Sequence, residues 1–334
     1  MEQETGAEAP FVEASTVVMS ESYNAQPRFK RRSLLYSDSR LGRFRRWREK
    51  LIEFVLFLSA FASVGITFMI GFILVVESIE FFKVVSVWDF ITDTQWTPLF
   101  FEPHYGIGVL LCGTLVTSIV ALAVAVPIGS IIAIYLSEYA SSRVRESVKP
   151  VLELLSAVPT VVYGYFALLF ITPLLQRIND EIPGFNMLSA GLAMGIMIIP
   201  YVSSLSEDAM RSVPMYLREG SYAMGATRLQ TALKVVFPAA FSGITAAYIL
   251  AISRAVGETM IVAIAAGLQP NLTLNPLESA STITSYIVQV TLGDLPHGSV
   301  GYQTIFAAGL TLMCVTLVFN ILGHYMRRRF REIY

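Results

Sequence analysis

Charge is scarce in this chain. Only 15% of its 334 residues are charged, against about a quarter in an average soluble domain. Hydrophobic residues make up 54%, the mean hydropathy is +0.60, and the net charge of −1 names no partner. No nucleic-acid partner is expected. The two cysteines, Cys112 and Cys314, lie inside apolar runs and make neither a disulfide framework nor a metal cluster. His104, His297 and His324 are far apart, and none has the spacing of a metal ligand. No metal, cofactor or catalytic residue is expected. The lysines are Lys30, Lys50, Lys83, Lys149 and Lys234, and none follows a glycine. The chain therefore has no phosphate-cradling GxxxxGK[ST] loop. If ATP energises it, the ATP site is on another polypeptide.

What is abundant is the long apolar run. Six spans are expected at roughly 52–76, 107–136, 151–175, 187–205, 242–267 and 302–326, each near the ~20 residues a bilayer crossing needs. The expected fold is all-α and polytopic. Pro127 and Gly129 predict a kink or tilt in the second span, and Pro200 interrupts the short fourth. Residues 1–27 are polar and acidic, and the stretch 1–38 is read as disordered. The first apolar run begins near Leu51, too far in for a cleavable signal, so it is read as an anchor.

Lysine and arginine set the orientation. Ten precede the first span, three follow the second, four follow the fourth, and four end the chain. That places 21 on one side, with Lys83 and Arg177 on the other and Arg254 inside a span. Both termini should be cytoplasmic. The basic stretch 39–51, with Phe44 and Trp47, reads as an amphipathic helix on the anionic inner leaflet or as an ordinary flank of the first span. The transmembrane body is 52–334. The connection 268–301 and the stretch 77–105 read as sizeable external loops. Glu153, near Lys149 at the start of the third span, reads as interfacial or as part of a gate.

The loop 206–238 is the most informative segment. Tyr216–Met224 can form a helix, Gly225 allows a sharp turn, and Thr227 with Gln230 has capping-box spacing for a second helix. Pro238 closes the segment. The run Glu219-Gly220-Ser221, Gly225, and Val235-x-Phe237-Pro238 resembles the EAA loop of importer-type ABC transporter permeases, with Gly220 and Ser221 where alanines are usual. The resemblance implies that Glu219, Gly220, Ser221, Gly225, Ala226, Thr227 and Pro238 form the element that docks in a groove of an ATPase subunit.

The fifth span carries two charges, Arg254 and Glu258, at a cost of about 2.5–3.5 kcal/mol each near a bilayer centre. Spaced by four, they share a helical face and can pair. Gly257 leaves room for a neighbour or a solute. Two readings stay open on chemistry alone. One is a structural ion pair. The other is an oxyanion site, in which the guanidinium binds bidentately and the carboxylate accepts a proton-bearing oxygen of hydrogen phosphate. Sulfate at neutral pH offers no such proton. The pattern Arg254-Ala255-x-Gly257-Glu258-Thr259-Met260 resembles the RA-x-GETM signature of phosphate-specific (Pst) importer permeases, closer to the C-type than the A-type subunit. YLSEYA at Tyr135–Ala140, ELLSAVPTVVYG at Glu153–Gly164 and LREGSYAMGATRLQT at Leu217–Thr231 agree with it.

That resemblance covers roughly residues 40–330. It implies a six-span, type I ABC importer permease (MetI-like) fold in a bacterial inner membrane. It implies phosphate passage at Arg254 and Glu258. The implied partners are a second homologous permease, two ATP-binding subunits and an external phosphate-binding protein. The alternative is the same fold carrying sulfate or molybdate. A membrane-embedded enzyme would need a nucleophile with a base, or a metal cluster, and the scattered histidines argue against it.

Overall fold

The computed structural model describes residues 40–296 and 298–329. The expected disordered stretch 1–38 lies outside them. The described residues are helical, with one isolated bridge, Trp96 to Tyr105, and no strand. The helices are α1 (Arg40–Phe82), α2 (Val87–Thr92), α3 (Ile107–Ile134), α4 (Ser142–Ala157), α5 (Thr160–Phe166), α6 (Thr172–Gln176) and α7 (Met187–Arg211). They continue with α8 (Met215–Ala223), α9 (Arg228–Thr231), α10 (Phe237–Ala239), α11 (Phe241–Val256), α12 (Met260–Ala265), α13 (Ile283–Thr291) and α14 (Val300–Arg329). Wide π-helical turns at Tyr135–Tyr139, Ala167–Ile171 and Ala232–Val236 extend α3, join α5 to α6 and join α9 to α10.

Four helices are long and apolar enough to cross a membrane: Arg45–Phe82, Ile107–Tyr139, Met187–Arg211 and Val300–Arg329. Two bent pairs raise the number to six. Ser142–Ala157 and Thr160–Gln176 meet at 86°, and Arg228–Ala239 and Phe241–Val256 meet at 75°. The third expected span, 151–175, is therefore not one rod. Val158 and Pro159 are both extended and break it, because the residue before a proline avoids helical backbone. The fourth departs the other way. Pro200 is buried inside an unbroken α7, which runs on to Arg211. The first turns of the loop 206–238 belong to that helix.

The chain divides into two units at Thr67/Phe68, within α1. In the first unit α1 carries stacked Phe57 and Phe61, and its backbone is unbroken across residues 51 and 52. The second unit holds the bundle, centred on α3 against α7. Their approach is set by small residues, as in apolar bundles generally. A Cβ at Gly191 would lie 2.6 Å from Val120, one at Gly195 2.9 Å from the Ala121 carbonyl oxygen, and one at Gly129 2.7 Å from Val202. Helix α11 packs on α7, α14 and α3, and α12 packs on α5.

A second cluster ties the segments between the long helices. Phe81, Phe90, Trp96 and Tyr286 meet edge to face in series, and the Tyr286 hydroxyl is 2.7 Å from the Thr304 hydroxyl. This corrects one expectation. The connection 268–301 is not simply a solvent loop. Ala280–Ser285 is buried, and α13 folds back against α12, α14 and α3.

The α3–α7 contact predicts a position-specific cost. Gly191→Ala should lower stability by about 1–3 kcal/mol through overpacking. Gly71→Ala, where an added Cβ meets nothing within 4 Å, should cost nothing. Thermal unfolding in detergent checks both; equal melting temperatures would refute the close approach.

Candidate functional site

Two constellations can be built from the residues upward. The first is a gap in the fifth span. Helix α11 stops at Val256, Gly257–Thr259 is not helical, and α12 resumes at Met260. A gap in an apolar bundle strands backbone amides and carbonyls, and these must find partners inside the protein. Glu258 supplies one. Its buried carboxylate takes the amides of Met260 at 3.2 Å and Ile261 at 3.5 Å on Oε1. The Thr284 hydroxyl, on α13, donates to the Glu258 carbonyl at 2.6 Å.

The ion pair that Arg254 and Glu258 could form on one helical face is absent among the described residues. The physical reason is the gap: two residues spaced by four share a face only while the helix continues. Arg254 instead lies over the Tyr201 ring of α7, with its guanidinium carbon 4.5 Å from the ring centre. A cation over an aromatic face is worth ~0.5–2 kcal/mol, most where water is excluded. Arg254 Nε is buried without a hydrogen-bond partner, as is the neighbouring Ser253 hydroxyl. Glu258 Oε2 makes no hydrogen bond among the described residues. The gap therefore holds an unshared guanidinium N–H and an unshared carboxylate oxygen. Gly257 has nothing but the Ser253 carbonyl, at 3.3 Å from an added Cβ, so no neighbouring helix fills its place.

The second constellation is the α8–α9 corner. Gly225 has φ +81°, a left-handed conformation that glycine adopts without penalty. It ends α8 in a Schellman motif: the Ala226 amide reaches the Ser221 carbonyl at 3.2 Å, and the Gly225 amide reaches Tyr222 at 2.9 Å. Thr227 then starts α9 through the expected capping box with Gln230. The Ser221 hydroxyl lies 2.8 Å from that of Thr231, so the departure from alanine at this position joins the two helices. Pro238 sits in the first turn of α10, where its missing amide costs little. Glu219, Gly220 and Met224 are exposed, and Ala226 is half-buried.

Two ionic features behind this corner escaped the sequence reading. Arg218 of α8 is buried and fully committed. It donates to Glu138 through Nη2 at 3.1 Å and Nε at 3.3 Å, and to the carbonyls of Val213 at 2.5 Å and Met210 at 2.8 Å. Glu138 belongs to the π turn that ends α3, so this pair ties α8 to the ends of α3 and α7. Glu207, fully buried in the last turns of α7, faces three cations: Lys149 Nζ at 2.5 Å, Arg145 Nε at 3.5 Å and Arg211 Nη1 at 3.7 Å. Three cations thus share the charge of that one buried carboxylate. Lys149 also bonds Asp208 at 2.7 Å. A loop assignment for 206–211 hid Glu207; its i,i+4 spacing to Arg211 was the available signal. Among the described residues no group of His, Cys, Asp and Glu could hold a metal ion.

Up to six apolar crossings among the described residues, all helical and one split beside a charged gap, define a polytopic membrane protein. Residues 125–332 match the family described as binding-protein-dependent transport system inner membrane component, and the chain belongs to it. It is 36% identical over 270 residues to the probable ABC transporter permease protein YqgH of Bacillus subtilis (strain 168), covering 80% of this chain and 86% of that one. It is 31% identical over 247 residues to the probable phosphate transport system permease protein PstC of Methanocaldococcus jannaschii, covering 68% and 77%. The phosphate transport system permease protein PstC of Haemophilus influenzae is 30% identical, covering 73% and 82%. Among solved structures, a chain of the bacterial ABC transporter that imports the acidic polysaccharide alginate superposes with a TM-score of 0.59 at 19% identity, covering 86% of this chain and all of that one. A chain of the inward-facing MetNI methionine ABC transporter gives 0.50 at 18% identity, covering 68% and 95%. The fold is that of the type I ABC importer permeases.

The Arg218–Glu138 pair makes the prediction here. Breaking a buried pair strands a charge, so Glu138→Ala should cost about 3–5 kcal/mol. The double variant Glu138→Ala/Arg218→Met should recover part of that loss. Denaturation of the purified chain checks the pattern; additive single effects would show that the two side chains do not depend on each other.

Proposed function

We propose that this chain is the membrane permease subunit of an ABC importer that carries inorganic phosphate into a bacterial cytoplasm. The carrying observation is the split fifth span, which leaves an unshared arginine N–H inside an apolar bundle. The phosphate relatives of this chain support the choice of ion. On this reading both termini, α4 and the α8–α9 corner are cytoplasmic, as the 21-to-2 split of basic residues indicates. The protein sits in the inner membrane with a second homologous permease. Two ATP-binding subunits and an external phosphate-binding protein complete the assembly. Hydrolysis occurs in the ATP-binding subunits, and no covalent step occurs in this chain.

Arg254 offers the ion a charge-assisted hydrogen bond, while Tyr201 holds the guanidinium without satisfying its N–H groups. Glu258 caps α12 with one oxygen and has the other to accept the hydrogen of hydrogen phosphate. Access alternates as the helices around the gap rock. The α8–α9 corner, including Glu219, Gly220, Ser221, Gly225, Ala226, Thr227 and Pro238, docks on an ATP-binding subunit and passes its movement to the bundle. A sulfate or molybdate permease of the same fold has no use for the free Glu258 oxygen, and no observation favours it.

Three substitutions test these roles in proteoliposomes containing the whole complex. Arg254→Gln should lower uptake of labelled phosphate about tenfold or more with normal assembly, the equivalent of losing a charged hydrogen bond worth ~1.5–3 kcal/mol. Glu258→Gln keeps a cap for α12 yet should also lower phosphate uptake; unchanged uptake at normal expression removes the acceptor role. Gly225→Asp forces a side chain onto a left-handed residue at about 1–2 kcal/mol. It should reduce association with the ATP-binding subunit or uncouple transport. An intact, fully coupled complex would instead favour a scaffold.

A further inference from the structure

Beside the α8–α9 corner lies an open cavity of about 850 Å³. Arg145, Arg211, Arg218 and Arg228 line it, with Glu138 the one acid, leaving three positive charges in excess. The arginines are not equally spent. Arg218 has its donors on Glu138 and two carbonyls. Arg145 gives its Nε to the Leu136 carbonyl, and Arg211 reaches Glu207 only at 3.7 Å. Arg228, at the start of α9, is exposed and has no partner among the described residues. The cavity wall thus holds a buried, self-satisfied pair, and beside it Arg211 and Arg228 are exposed and under-used.

The cavity wall also carries exposed apolar surface. Met215 at the start of α8 and Tyr222 near its end line the cavity and are exposed. Tyrosine, methionine and arginine around a concave site are what protein interfaces concentrate, and lysine is what they avoid. A small free anion would need the arginines but would have no use for this apolar surface. Arginine forks match planar carboxylates bidentately.

We propose that the cavity receives an acidic side chain, Asp or Glu, of the ATP-binding subunit, clamped by Arg228 and Arg211. The inference rests on the reading that the α8–α9 corner docks on that subunit, and it adds the chemistry of the partner. The carboxylate enters beside Arg218, so docking on the exposed corner also bears on the buried pair that holds α8 to the end of α3. The clamp and the pair share one cavity wall.

The test uses the intact complex, co-expressed with its ATP-binding subunits and purified in detergent. Retention of those subunits is followed by size-exclusion chromatography as sodium chloride rises. Arg228→Gln removes a charge with no internal partner, so the chain should fold as before. It should halve, roughly, the salt concentration at which the subunits leave, and Arg228→Glu should weaken association about tenfold or more at low salt. Both variants retaining their subunits to wild-type salt, while Gly225→Asp loses them, would overturn the clamp and leave the docking corner standing. If Gly225→Asp retains them as well, the docking reading itself falls. Labelled inorganic phosphate is the second probe. If it binds the intact Arg254→Gln complex and Arg228→Gln abolishes that binding, a free anion occupies the cavity and the carboxylate is excluded. No such binding is expected.

Discussion

A backbone gap inside an apolar bundle cannot be left to solvent. Each unpaired amide or carbonyl there costs several kcal/mol unless the protein satisfies it. The break at Gly257–Thr259 creates such groups, and much around it answers them. The carboxylate of Glu258 turns back to cap α12 and is therefore not available to Arg254 in the way an unbroken helix would make it. The carbonyl of Glu258 takes the Thr284 hydroxyl, which requires α13 to be folded into the bundle rather than left in a loop. The Ile283 amide in turn takes the Thr114 hydroxyl of α3 at 3.0 Å. The gap thus recruits α12 and α13 directly, and α13 is tied in turn to α3.

At the α8–α9 corner the same rule works through charge. Glu207 and Arg218 are both buried, and a buried charge persists only with partners. Glu207 gathers Lys149 and Arg145 from α4, which holds α4 against the end of α7 despite the 86° bend that turns α4 away from α5. Arg218 gathers Glu138 and two carbonyls, which fixes α8 to the ends of α3 and α7. The exposed corner at Gly225 is therefore mounted on a rigid base, not suspended on a flexible loop.

Local chemistry was readable and tertiary breaks were not. The corner followed from Gly225 and the Thr227/Gln230 spacing, because a left-handed glycine and a capping box are decided within a few residues. The six apolar stretches followed from hydropathy. Pro159 and Pro200 show the limit of that signal. One ends a helix and the other sits buried inside one, since neighbouring helices can satisfy what a proline frees in an apolar bundle. Hydropathy ran through Gly257–Thr259 without a mark, so Arg254 and Glu258 were placed on one face. Which charge meets which is settled by contacts such as Tyr201 to Arg254 and Glu138 to Arg218, which join residues 53 and 80 positions apart. No local pattern encodes those distances. Residue type marked the two charges in an apolar stretch, Arg254 and Glu258, but not that the arginine N–H is left unshared.

The two constellations are not independent, because one helix ends in both. Helix α11 leaves the corner after Pro238 and α10, and it ends at the gap with Arg254 in its last turn. Its 16 residues make a rod of about 24 Å at a rise of ~1.5 Å per residue. A helix that length does not compress, so a displacement at its α10 end must appear as a shift or tilt at Arg254. On the proposed reading, the 75° bend at Ala240 turns movement along α9–α10 into movement across α11. On that reading, what opposes the movement is the contact of α11 with α7, which carries Tyr201 under Arg254 and, less than two turns further on, Glu207. The guanidinium is held between α11, which starts at the corner, and α7, which is anchored to α4. On the proposed reading, the weakest link in that arrangement is the arginine's stacking on tyrosine, an interaction that tolerates sliding far better than a directed hydrogen bond would. An arginine left unpaired at the gap is then what lets the site change its grip without first breaking a buried ion pair.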